Sequence, residues 1–260
     1  MVLRPHNKIQ GTIEGGMNFK SEIMQLNGYQ IDRITCVSAQ MTSENPLPDI
    51  QKIMVFLSQD KTAVQLPKNE VLTVDDLEQI IDRLGQKTYQ GLGSQYEALW
   101  RTLIANTAFF TSAKPSFKQH FDAVVDSLRL RARGVFWEGI KACGGTKMDS
   151  CSFSRLWHDT EAQRLCHQIL ARDAGPYYRE LVNSIGGRVF FATLKGHIGF
   201  GSPGTRIGDS VTVLYGGWAP FILGQRGEVF QMVGDAYVHG IKTERSWRRN
   251  ASGRKSFKIR

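Results

Sequence analysis

A chain of 260 residues with 41% hydrophobic and 22% charged residues can bury a sizeable core, which excludes wholesale disorder. Its net charge of +9 is uneven: Lys242–Arg260 holds eight basic residues against one acid, Glu244, a net +7 that leaves +2 for the other 241 residues. A broadly basic, nucleic-acid-wrapping body is therefore excluded, and the tail, with Trp247 and Phe257, reads as a solvated terminus.

The segment Met1–Met17 mixes Arg4, His6, Lys8 and Glu14 with glycines and has no apolar core, so no signal peptide is expected. The densest apolar run, Ile53–Leu57, is far too short to span a bilayer. The expected location is the cytoplasm. Four cysteines (Cys36, Cys143, Cys151 and Cys166) in so long a chain read as free thiols of a reducing compartment.

Taken in chain order, residues 1–44 are mixed, with a strand expected at Tyr29–Val37. Asn45-Pro46-Leu47-Pro48 then breaks the chain before a helix at Asp49–Ser58. Thr73 followed by Asp76 has the pattern of a capping box, and Leu77, Ile80, Ile81 and Leu84 continue it as an apolar stripe that stops at Gly85. After the glycine loop of Gly91 and Gly93, a second stripe runs through Tyr96, Leu99, Trp100, Leu103 and Ile104. Pro115 suits a helix start before Phe117, Phe121, Val124, Val125 and Leu128. Further helices are expected at Ser154–Ala171 and Pro176–Val182.

At Gly186 the character changes: residues 186–240 hold 13 of the 26 glycines. Between them lie β-prone runs at Arg188–Thr193, Gly196–Phe200, Ser210–Tyr215, Pro220–Leu223 and Val229–His239. Five short strands parted by glycine turns describe a small barrel or curled sheet. The expected class is α+β, a helical body followed by a glycine-rich antiparallel β-barrel-like domain. Its expected segments are 1–44 (mixed), 45–185 (helical), 186–241 (β-domain) and 242–260 (basic tail).

Candidate chemistry is sparse. Gly199-Phe-Gly201-Ser-Pro-Gly204 spells G-x-G-x-x-G, but Pro203 intrudes and a β-run follows where the phosphate-binding form needs a helix N-terminus. A β-turn is the better reading, and no cofactor is implied. Asp235, Tyr237 and His239 alternate with Ala236 and Val238, which puts carboxylate, phenol and imidazole on one strand face. They are the catalytic candidates, as acid/base groups, although no nucleophile or second carboxylate stands beside them in the sequence. Cys143, Cys151, His158, Cys166 and His167 lack the paired spacing that holds structural zinc, and His158 with Glu161 supplies only one i, i+3 pair, so no metal is expected. Neither a G-x-S-x-G elbow nor a phosphate-binding G-x-x-x-x-G-K-[ST] loop is present. Arg129, Arg131 and Arg133 read as a solvated helix end.

Three stretches are more specific. Leu26-Asn-Gly-Tyr-Gln-Ile-Asp-Arg-Ile34 is the first and Leu99-Trp-Arg-Thr-Leu-Ile104 the second. The third is the series Arg188–Thr193, Gly196–Gly201, Gly208-Asp-Ser-Val211, Leu214-Tyr-Gly-Gly217, Pro220-Phe-Ile-Leu223 and Val233-Gly-Asp-Ala-Tyr-Val-His-Gly240. Together they resemble the C-terminal region of fungal heterokaryon-incompatibility (HET domain) proteins, over about residues 26 to 241. The family's N-terminal HET domain has no counterpart in these residues, and Ile241-Lys-Thr-Glu244 stands where relatives often carry an acidic M-D-G-E.

The resemblance implies a non-enzymatic regulatory or interaction region of a protein of non-self recognition and programmed cell death. Its partner would be another protein or an effector domain of the HET kind. The expected structural signatures are Trp100, Arg101, Asp209, Gly217, Phe221, Asp235 and His239. Trp100 should anchor the helical core, Gly208–Asp209 and Gly216–Gly217 should shape turns, and Phe221 should fill the barrel. The rival reading is a small-molecule-binding protein or enzyme of a fungal secondary-metabolite pathway, with an aromatic pocket between helices and barrel. Nucleic acid, reachable only through the basic tail, is the weakest expectation.

Overall fold

The computed structural model describes residues 23–43, 46–59, 72–108, 111–142, 172–241 and 254–260. The helix expected at Ser154–Ala171, and Cys143, Cys151, His158, Glu161, Cys166 and His167, lie outside them. The fold is α+β. In chain order, strand β1 (Met24–Gln40) is followed by helices α1 (Leu47–Ser58), α2 (Val74–Gln86) and α3 (Gln95–Leu103). A small hairpin, β2 (Thr107–Ala108) and β3 (Thr111–Ser112), precedes a 3-10 turn at Pro115–Phe117 and helix α4 (Lys118–Ala142). Helix α5 (Gly175–Ile185) leads into β4 (Val189–Thr193), β5 (Ile198–Gly201), β6 (Ser210–Leu214), β7 (Phe221–Arg226) and β8 (Val229–Val238). The last strand is β9 (Arg254–Ile259).

The helices form where one face can be buried, and side chains cap α2 and α3. The expected capping box is present at α2: Asp76 N–H donates to Thr73 Oγ1 at 3.1 Å, and Thr73 N–H to Asp76 Oδ2 at 2.8 Å. Leu77, Ile80 and Leu84 of that helix are buried. Ser94 caps α3 by accepting from Glu97 N–H at 3.1 Å. Trp100 of α3 is 1% exposed, and the Tyr177 hydroxyl of α5 donates to its carbonyl oxygen at 2.7 Å. Trp100 thus sits in the helical core, among Phe121, Val124 and Leu128 of α4 and Tyr177, Leu181 and Ile185 of α5. Arg129 ties α4 to α2 through Glu78, at 2.6 Å, and also pairs with Asp126.

Seven strands form the main sheet, in the order β4-β5-β8-β7-β6-β1-β9, with further pairings of β4 to β1 and of β8 to β9. The pairing of β4 with β1 closes a six-stranded barrel. Length is what makes this possible: 17-residue β1 pairs with β9 along Met24–Tyr29, with β6 along Gly28–Arg33 and with β4 from Ile34 to Gln40. Register irregularities between Gln30 and Asp32 and between Ile34 and Cys36 let it bend from one partner to the next. Strand β8 likewise passes from β7 to β5, and touches β9 where Phe230 meets Ile259.

Side-chain alternation then sorts the apolar residues. Phe191, Val211, Val213, Ile222, Ala236 and Val238 form the barrel interior with Ile31 and Ile34. Phe190 and Ala192, on the other face of β4, join Ile198 and Phe200 of β5 in the large helical core. Strand β4 is therefore buried on both faces, which is why it reads as an unbroken apolar run rather than an alternating one.

Two expectations are corrected here. Phe221 does not fill the interior. It shares a strand with Ile222, so it faces the opposite way, half-buried against a third cluster of Leu214, Leu223, Phe257 and Ile259. And the sheet extends beyond 186–241, taking β1 into the barrel from before the helices and β9 beside it from the basic tail, where Phe257 is 1% exposed.

Candidate functional site: the helix–barrel junction

The two most distinctive motifs meet in space. Strand β8 carries Asp235 and Tyr237, with His239 directly after its end, and Tyr237 is directly paired with Phe200 of β5. Against this stretch lies the turn between α2 and α3, closed by a bridge of Thr88 to Ser94. From that turn the Tyr89 hydroxyl donates to the carbonyl oxygen of His239 at 3.1 Å and accepts the Ile198 N–H at 3.2 Å. The Tyr89 and His239 rings lie 5.3 Å apart, and the Tyr237 hydroxyl is 3.0 Å from His239 Nδ1. Gln90, beside Tyr89, donates to the Lys195 carbonyl at the β4–β5 turn.

Arg101 of α3 completes the surroundings. Its guanidinium lies 4.2 Å from the Trp100 ring centroid and bonds Glu97, Asn106 and the Ala113 carbonyl. Burial first, and the Arg101 charge second, push the His239 imidazole down to about 4, against a smaller upward pull from Glu97. Burial pushes the Tyr89 phenol up to about 12 and the Tyr237 phenol well above its ordinary value. At neutral pH the cluster is thus two neutral phenols and a neutral imidazole.

The three residues expected on one face do not act as one group. Asp235 is exposed and pairs with Arg188 of the α5–β4 turn at 2.7 Å. Tyr237 and His239 point into the junction, and His239 is 8% exposed. Tyr89 completes the cluster and was invisible in the sequence, where it is one aromatic beside a glycine loop. The G-x-G-x-x-G stretch is strand and turn: a Cβ at Gly199 would press on the Tyr237 carbonyl and the Phe191 ring, so close strand packing requires that glycine.

Elsewhere, the Asp209 carboxylate accepts the Arg206 N–H at 2.8 Å and is 4% exposed, so burial raises its pKa. It holds the turn before β6, and Gly216 (φ 78°) begins the turn after it. Cys36 is a buried free thiol whose pKa burial pushes up to about 11. Among the described residues no cluster of three or more His, Cys, Asp or Glu could hold a metal ion, and no helix is long and apolar enough to cross a membrane.

No curated protein and no solved structure matches the chain. The Het-6 β-barrel domain family matches residues 21–250, a span that takes in the barrel strands β1 and β4 to β8, the helices and the junction. The chain therefore belongs to the Het-6 β-barrel domain family, which relates it to heterokaryon incompatibility.

Proposed function

We propose that this chain is a non-enzymatic interaction module of non-self recognition, acting in the cytoplasm on programmed cell death through a protein partner, an effector domain of the HET kind. The carrying observation is the use made of its most reactive-looking residues. Tyr237 and His239 are bonded to each other, packed on Tyr89 and stripped of charge, and Asp235 is taken up by Arg188. A general acid or base works best with a pKa near the operating pH, and an imidazole held at about 4 is far from it. The same groups serve well as a clasp that joins barrel to helices and gives a partner a rigid surface. The test is a binding titration of the whole chain against isolated HET-type effector domains. Saturable binding that survives Asp235→Asn is expected. Absence of binding to any effector domain, together with turnover of a small molecule, would overturn the reading.

A further inference from the structure

The ribbon formed by β1 and β9 has two unlike faces. Leu26, Phe257 and Ile259 lie on one, packed into the cluster with Leu214 and Leu223. On the other, the directly opposed pairs are Gln25 with Lys258, Asn27 with Ser256 and Tyr29 with Arg254. Gln25, Asn27, Arg254, Ser256 and Lys258 are all exposed. No acid occurs within Met24–Ile31 or Arg254–Arg260, and among the described residues neither Arg254 nor Lys258 has an ion-pair partner. The face is therefore a row of cations separated by amide and hydroxyl groups.

Aromatic rings border the same row. The Arg254 guanidinium lies 5.3 Å from the centroid of the Tyr215 ring, whose hydroxyl bonds that of Tyr29 at 2.9 Å. Tyr215 N–H donates to the Asn27 carbonyl, which anchors the β6–β7 turn to this ribbon. Three residues on, Trp218 is 83% exposed, and chain length alone keeps its Cα within ~11 Å of that of Tyr215. A tryptophan so fully in solvent, on a turn opened by two glycines, contributes nothing to the core.

We propose that this face binds single-stranded nucleic acid, with Arg254 and Lys258 on backbone phosphates, Gln25, Asn27 and Ser256 on sugar or base edges, and Trp218 stacking on a base. Cations beside rings on a barrel surface are the means by which such strands are held without regard to sequence. An anionic membrane would use the charge but not the hydrogen-bonding groups between the cations, and an acidic peptide would leave Trp218 idle. The row exists only because β9 is a strand, which a reading of the tail as solvated chain cannot show.

The test is fluorescence anisotropy of labelled 12-mer oligouridine and oligothymidine with the full chain across a salt series. Trp218→Ala should weaken binding at least about fivefold with the salt slope unchanged. Lys258→Gln should reduce that slope by about 0.7. Both positions are exposed, and unchanged thermal unfolding would confirm that each variant folds. Absence of binding, binding indifferent to both substitutions, or equal capture by phosphatidylserine vesicles or polyglutamate would each overturn the proposal.

Discussion

The hydroxyl of Tyr89 donates to the carbonyl oxygen of His239 across 150 residues of sequence, at 3.1 Å, and so fastens the α2–α3 turn to the end of strand β8. The Tyr89 hydroxyl oxygen also accepts the Ile198 N–H, so one phenol satisfies two backbone groups on adjacent strands. Tyr89→Phe keeps the ring and removes both bonds. Leaving buried backbone groups unpaired costs about 1–3 kcal/mol, and urea unfolding of the variant should show a loss of that order.

The junction also sets a pH dependence. His239 titrates near 4 in the folded chain against 6.5 ordinarily, so between those values the unfolded chain binds more protons. Stability is then fully present above about pH 7 and falls as pH drops from 6.5 toward 4, by up to about 3 kcal/mol. His197, lowered chiefly by burial, acts in the same direction, whereas Asp209, whose pKa is raised by burial, acts in the opposite one. Comparing thermal unfolding of wild type and His239→Asn from pH 4 to 7.5 isolates the His239 share, which should appear as a shallower slope in the variant.

Strand β9 is part of the main sheet, and its alternation can be tested directly. Phe257 packs edge-on against Phe230 with ring centroids 5.4 Å apart, and Lys258 beside it is exposed. Phe257→Ala should destabilise by about 3–5 kcal/mol. Lys258→Gln should stay within about 0.5 kcal/mol of wild type. Chemical unfolding of the two variants side by side checks the prediction, and equal, small effects would return the tail to solvent.

Cys36 faces the helical core and is 0% exposed, with its thiol held up near 11. The thiolate is the reactive form, so the native protein at pH 8 should leave Cys36 unmodified by iodoacetamide, and denaturant should expose it. Mass spectrometry of the Cys36 peptide before and after unfolding reads the difference.

The local parts of this fold were legible because local chemistry decides them. Thr73 and Asp76 announce the start of α2, and the glycines after Gly186 mark turns between β-prone runs that all became strands. Pairings across the chain were not legible. Nothing near Met24 states that it will lie beside Ile259, and the eight basic residues after Ile241 outweighed the alternation of Phe257 and Ile259 that marks β9 as a strand. Phe221 was placed on the wrong face because a period of two cannot say which face is inside until the neighbours are known. At the junction, Asp235, Tyr237 and His239 were recognisable as a row. Their separation into an exposed ion pair and a buried clasp depended on Arg188 and Tyr89, which the sequence does not connect to them.

The central claim, a clasp and not a catalyst at the junction, is tested most directly by an incompatibility assay in a filamentous fungus carrying this chain. The variant to use is His239→Asn with Tyr237→Phe, in a background where thermal unfolding shows the protein folded. The cell-death response should persist in proportion to folded protein. Loss of the response at full stability and abundance would contradict it.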